Sequence, residues 1–221
     1  MTHMRSHEVE IVDATSNSVF ERFLYSCLAL PFRKYQRRRE YLAAAVPRGL
    51  RKKLLLWRGE PVGTIEYAPP EAAGYPIVGK GIIVVNCIWV LRRAKGHGFG
   101  RLLIRAMMDE CKDATGFATV GLRGCWSPWF KVEQLERLGF RSVDSVEVRH
   151  KTKHADSLFA ICLMWLPRRE NAKPPRWDKS KILEGVRWCM AHPLYHPQTY
   201  EPKKILRAAK RVGRPDKTHP A

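Results

Sequence analysis

The chain has 221 residues, 45% of them apolar and 28% charged, with a formal net charge of +19. That length and apolar share support one core of ordinary size plus an appendage, and they exclude a chain too polar to fold. No apolar run approaches the ~20 residues of a bilayer crossing. Met1 to Glu10 lacks the apolar stretch of a secretory signal, and the six cysteines contain no Cys-x-x-Cys pair. The expectation is a cytoplasmic protein with reduced thiols and no membrane contact.

In chain order, Glu8 to Val12 alternates as a strand, and Ser16 to Leu30 carries Val19, Phe23, Leu24, Cys27 and Leu28 at helical spacing until Pro31. Arg33 to Val46 reads as a second helix with a basic face. Lys53 to Trp57 and Val62 to Tyr67 flank Arg58-Gly59-Glu60-Pro61 and predict a hairpin. Ile82 to Leu91 is a nearly continuous β-branched run, as in a strand covered on both faces. Gly98 to Asp113 follows as a helix. Phe117 to Leu122 is a strand, Phe130 to Leu138 a helix stopped by Gly139, and Val143 to Val148 and Leu158 to Leu166 are closing strands. The fold class is therefore α/β with a mixed sheet. Beyond Pro167 the composition shifts, and Ile182, Val186 and Cys189 predict an amphipathic helix over Lys179 to Met190. The expected organisation is a body over 1–166 and a basic helical extension over 167–221.

The most informative stretch is Lys95-Gly96-His97-Gly98-Phe99-Gly100, placed between a buried strand and a helix. A helix start presents unpaired N–H groups and a positive dipole end, and glycines let an anion approach them closely. Two other glycine motifs fail: a dinucleotide fingerprint from Gly96 needs glycine where Arg101 stands, and Gly74 to Lys80 is followed by Gly81 where a P-loop needs Ser or Thr.

Lys95, Gly98 and Gly100 resemble the R/Q-x-x-G-x-G/A signature of the GNAT superfamily of N-acyltransferases, with Lys in the first place. Ile88-Trp89-Val90 stands where that family has L-x-V, and Leu138-Gly139-Phe140 resembles its usual helix ending. The resemblance spans roughly Glu8 to Leu166. It implies a central twisted sheet flanked by helices, acetyl-CoA or another acyl-CoA as co-substrate, and transfer to an amine acceptor. Ile88, Trp89 and Val90 are then expected to pair with the pantetheine arm, and Lys95, Gly96, His97, Gly98, Phe99, Gly100 and Arg101 to hold the pyrophosphate.

A lysine amine is neutral in only about one molecule in 2500 at pH 7, so proton transfer matters. Candidate bases are Glu66 and Asp144, with Glu147 beside them. Family members commonly place a Tyr four residues before the Gly of Gly-Phe, as the acid for the leaving thiolate, and here Leu135 stands there. Cys125, just past the strand expected to border the thioester, is the candidate acid or nucleophile. Trp126 and Trp129 are candidates for the acceptor wall. Cys189, His192 and His196 could supply metal ligands, but Pro193 and Pro197 break their common face, so no metal is expected.

Residues 33–53 carry nine Lys or Arg against Glu40 alone, and residues 167–221 carry fourteen against five acids. These two segments make a nucleic-acid or acidic partner a second expectation. The rival function is a nucleic-acid or ribosome-binding protein on a GNAT scaffold, one that either lacks the chemistry or acylates RNA or an RNA-bound protein.

Overall fold

Eight strands in one mixed sheet and a two-stranded ribbon make up the β-structure of the computed structural model, which describes residues 8–29, 36–155, 157–196 and 204–209. The strands are β1 (Val9–Asp13), β2 (Arg51–Trp57), β3 (Glu60–Ala68), β4 (Ile77–Val78), β5 (Ile82–Val90), β6 (Gly116–Arg123), β7 (Arg141–His150), β8 (Leu158–Pro167), β9 (Arg176–Trp177) and β10 (Leu206–Ala208). Five helices accompany them: α1 (Glu21–Tyr25), α2 (Gln36–Ala45), α3 (Phe99–Glu110), α4 (Val132–Arg137) and α5 (Lys179–Ile182). The large sheet runs β1-β2-β3-β5-β6-β8-β7-β10, and β4 pairs with β9.

Every neighbouring pair in the large sheet is antiparallel except β5 and β6, which the α3 crossover makes parallel. That pair matches residues only over Ile82 to Val84 against Gly116 to Ala118. On its other edge, β5 sets Cys87 opposite Glu66 and Val85 opposite Tyr67, so Asn86 is an extra residue in the strand. Such a bulge bends and twists its strand. From there β5 and β6 part, and the end of β5 keeps β3 as its strand neighbour.

The sheet is covered on both faces. Phe99, Leu103 and Met107 of α3 and Val132 and Leu135 of α4 pack with Tyr67, Val85, Phe117 and Met164 on one side. Across the sheet, Val84, Val120, Leu163 and Trp165 meet Ile182, Val186, Trp188, Leu194 and Leu206. The C-terminal chain is thus buried against the sheet as its second cover, and α2 fills the corner beside it with Leu42 and Ala45.

The seven expected strands fall where alternation and β-branching place them, with ends moved by one or two residues, while the short β4, β9 and β10 are not among those expected. The first predicted helix is shorter than its spacing suggested: Ser18–Phe20 is a 3-10 turn and only Glu21–Tyr25 is α-helical, while Leu30 lies outside the described residues. Residues 33–35 of the second helix are likewise outside them. The helix expected over Lys179 to Met190 is corrected to one turn, Lys179–Ile182. Gly185 adopts a left-handed φ of +77°, and the chain then folds back so that Val186 N donates to Leu194 O at 2.8 Å and His196 N to Val186 O at 2.8 Å. The apolar spacing that suggests a helix face is met by a loop that buries the same residues.

A Cβ at Gly185 would lie 2.4 Å from the Leu194 carbonyl oxygen and 2.5 Å from Ile205 Cδ1. Gly185→Ala therefore combines a left-handed backbone, about 1–2 kcal/mol, with overpacking of about 1–3 kcal/mol. A fall in stability of at least about 2 kcal/mol is expected on urea unfolding, and an unchanged midpoint would show that the extension does not stabilise the sheet.

Candidate active site

The end of β5 and the start of α3 build the site. After Val90 a 3-10 turn at Arg92–Ala94 leads into the glycine turn, where Gly96 has φ +89° and Gly98, the N-cap of α3, has φ +74°. The left-handed region favours glycine because other residues bring Cβ against the backbone. No side chain caps this helix. Arg101 and Leu102 N–H both reach back to the Gly98 carbonyl, so the groups ahead of them are the orphan donors of a helix start. A Cβ at Gly96 or Gly98 would meet no atom within 4 Å, so open space faces both residues. His97 stacks with Phe99, ring centroids 5.4 Å apart, and lies 4.6 Å from Trp57, which fixes the outer edge of the turn. Lys95 and Arg101 are exposed beside it.

A cavity of about 150 Å³ runs from this turn into the gap between β5 and β6. Ile88, Trp89, Val90, Lys95 and Gly100 form one wall, and Phe130, Leu135 and Leu138 stand opposite. The floor of the gap is pinned where Thr119 Oγ1 donates to Val85 O at 2.7 Å.

A second cavity, of about 10 Å³, is at the lower bound for holding a water, and it lies behind Trp89. Trp89 and Trp129 stack with centroids 4.6 Å apart and planes 17° from parallel, and both line this cavity. Its charged side is a buried triad. Arg38 donates through Nη2 to Glu66 Oε1 at 2.5 Å and through Nη1 to Oε2 at 3.3 Å, and Lys52 Nζ lies 3.1 Å from the same carboxylate. Burial alone would raise the Glu66 pKa, but Arg38 and Lys52 outweigh it and hold it down at about 2. Burial pushes Lys52 down, against the pull of Glu66. Cys27, Cys87 and Cys189 also line the cavity. Burial pushes the Cys87 thiol up, and contact with Cys27 followed by burial does the same for Cys189.

The Asn86 bulge is tied to the C-terminal chain. Its side chain accepts from Gly74 N at 3.0 Å and donates to Tyr41 Oη at 2.7 Å. His192 Nδ1 accepts from Leu194 N at 3.0 Å, so the neutral ring carries its proton on Nε2 and donates to Tyr75 Oη at 2.9 Å. Tyr75 in turn donates to the Asn86 carbonyl at 3.3 Å. Burial lowers the His192 pKa to about 3, so the ring is neutral at ordinary pH.

The structure brings Ile88 to Val90 and Lys95 to Arg101 to one end of the sheet and does not gather the three candidate catalytic groups there. Glu66 touches the second cavity but is committed to two cations. Asp144 is exposed on β7, accepting from Trp177 Nε1 at 2.8 Å and Lys179 Nζ at 2.7 Å; burial opposes its charge more than any one contact favours it, but the contacts together prevail and lower its pKa. Cys125 is buried, lines neither cavity, and has its thiol pushed up by burial. Trp126 packs on His154 and Phe159, away from the Trp89–Trp129 stack. Among the described residues no group of three or more His, Cys, Asp or Glu is placed to hold a metal ion, and no helix is long and apolar enough to cross a membrane. Sequence reasoning missed Phe130, Gln134 and Leu138 as groove residues: Leu138-Gly139-Phe140 marks the end of the helix but not which of its side chains face the gap.

The sequence of residues 18–126 matches the model of the acetyltransferase (GNAT) family. No curated protein matches. Among solved structures, a protein assigned to the GNAT acetyltransferases of Desulfovibrio desulfuricans is 14% identical, with 72% of this chain and 98% of that one covered and a TM-score of 0.51. Ard1 from Thermoplasma volcanium is 15% identical over 74% and 99% of the two chains, with a TM-score of 0.50. A protein assigned as a streptothricin acetyltransferase of Bacillus anthracis, crystallised with acetyl coenzyme A, is 14% identical with a TM-score of 0.41; the match covers 55% of this chain and 64% of that one.

Proposed function

Because the chain belongs to the GNAT acetyltransferase family through residues 18–126, we propose that it transfers an acetyl group from acetyl-CoA to an amine. The observation that carries this reading is the open turn at Gly96 and Gly98, set at the head of α3 and beside the gap where β5 leaves β6. Backbone N–H groups there hold the pyrophosphate, with Lys95 and Arg101 adding charge. Ile88, Trp89 and Val90 run alongside the pantetheine arm.

The thioester then sits near the divergence of the strands, where alignment with the amine and a backbone N–H on the developing oxyanion lower the barrier. The amine attacks the carbonyl carbon, the C–S bond breaks, and the proton lost from the new amide's nitrogen balances the thiolate. Leu135 in the groove wall offers no hydroxyl for that proton, so solvent relays it. Glu66 serves as the counter-charge that positions Arg38 and Lys52 behind Trp89, and the acceptor approaches from the side of the Trp89–Trp129 stack.

Calorimetry is expected to show one acetyl-CoA per chain, and a panel of primary amines to release free coenzyme A thiol. Binding without thiol release from any amine would favour a scaffold without chemistry, and no binding would overturn the reading.

A further inference from the structure

The far end of the sheet carries a second feature. A groove of about 970 Å³ lies between the β4–β9 ribbon and the starts of β5 and β6, lined by Lys80, Arg169, Lys173 and Arg176 with no carboxylate among its walls. All four cations are exposed, and none forms a salt bridge among the described residues. Glu170, next to Arg169 in sequence, does not line the groove. The base is firm: Thr115 N donates to Gly81 O at 2.7 Å, Thr115 Oγ1 to the same oxygen at 3.1 Å, and Arg168 N to Thr115 O at 3.0 Å.

The basic segment over residues 33–53 behaves differently. Arg38 and Lys52 are buried on Glu66, Arg51 and Lys53 both pair with Glu110, and Arg48 donates to the Glu71 carbonyl. Much of that segment's charge is already matched, whereas the four groove cations face solvent together.

We infer that this groove binds the sugar–phosphate backbone of a nucleic acid duplex. It is far larger than one phosphate needs, and several cations along one concave wall suit a row of phosphates. No aromatic ring lines it, and the neighbouring Trp177 is held by Asp144. A site without stacking platforms favours paired bases, whose phosphates alone are offered, over single strands. The nine residues of β5 put about 26 Å between the groove and the acyl-transfer end. The groove therefore anchors the partner and takes no part in the chemistry, and it stands independently of the acetyl-CoA reading.

The test is fluorescence anisotropy with a labelled 20-base-pair duplex, the matching single strand and a polyglutamate peptide, across a salt series. The proteins are the full chain, the four single Ala variants and the combined Lys80→Ala, Arg169→Ala, Lys173→Ala, Arg176→Ala variant. Each lost phosphate contact should flatten the slope of log K against log salt by about 0.9, and the combined change by up to about 3.6. Duplex affinity should drop at least about a hundredfold at roughly 0.1 M salt, with the thermal melt and acetyl-CoA affinity unchanged. The single variants carry the test if the combined one melts early. Unchanged slopes, or polyglutamate bound more tightly than duplex, would overturn the assignment.

Discussion

Replacing Gly98 with Glu is expected to take acetyl-CoA affinity down at least about a hundredfold, a loss of about 2.8 kcal/mol, while the protein stays folded. Gly98 is the N-cap of α3 with φ +74°, and nothing lies within 4 Å of the place its Cβ would take. The backbone cost is about 1–2 kcal/mol, and the helix dipole returns about 0.3–1 kcal/mol to a carboxylate at that end. The new charge therefore stays at the turn and repels the pyrophosphate that the same N–H groups attract. Gly98→Ala, which carries the backbone strain without the charge, should keep most of the affinity. Calorimetry with both variants, beside thermal melts, checks this; unchanged affinity in a folded Gly98→Glu protein would move the coenzyme away from the turn.

Glu66→Ala should destabilise the protein by about 3–5 kcal/mol, the range for breaking a buried ion pair by removing one partner. Arg38 and Lys52, both buried, would be left facing each other without a counter-charge. Against a total stability of about 5–15 kcal/mol this is a large fraction. The pH dependence follows from the depressed Glu66 pKa of about 2. Its stabilisation is complete above the unfolded value near 4.5 and is lost as pH falls from there toward 2. His192, neutral when folded and lowered to about 3, makes the unfolded chain the better proton binder from about pH 6.5 downward, at no more than about 1.4 kcal/mol per pH unit. Urea unfolding of the wild type should thus weaken in two stages on acidification, and Glu66→Ala should lack the lower one. A wild-type midpoint constant from pH 7 to pH 3 would contradict both assignments.

The seven long strands and the glycine turn at the head of α3 were legible because their signals are local. Ile82 to Val90 is β-branched with few breaks, and Lys95 to Gly100 joins a strand to a helix through glycines. The extension beyond Pro167 was read as a basic helix because Ile182, Val186 and Cys189 recur at helical spacing, whereas the spacing reflects burial against Val120 and Trp165, which are distant in sequence. Glu66 looked like a base because its type permits it; the two cations that hold it, Arg38 and Lys52, become its neighbours only when α2 and β2 pack on β3. Net charge by segment marked 167–221, which supplies Arg169, Lys173 and Arg176 of the groove, but it marked 33–53 equally, where Arg38 and Lys52 are matched by Glu66. A tally cannot distinguish Lys52, buried on a carboxylate, from Lys80, exposed in a groove.

The burial of Trp188, Leu194 and Leu206 on the sheet has a consequence for biosynthesis. Translation proceeds from the N-terminus at about 5–20 residues per second, so the stretch from β8 to β10 takes roughly 2–8 s to make. During that interval Val84, Val120, Leu163 and Trp165 lack the cover that Ile182, Trp188, Leu194 and Leu206 give them. The nascent chain therefore presents a partly uncovered apolar sheet face at the ribosome exit, a surface suited to a chaperone and prone to self-association, until β10 arrives to seal it.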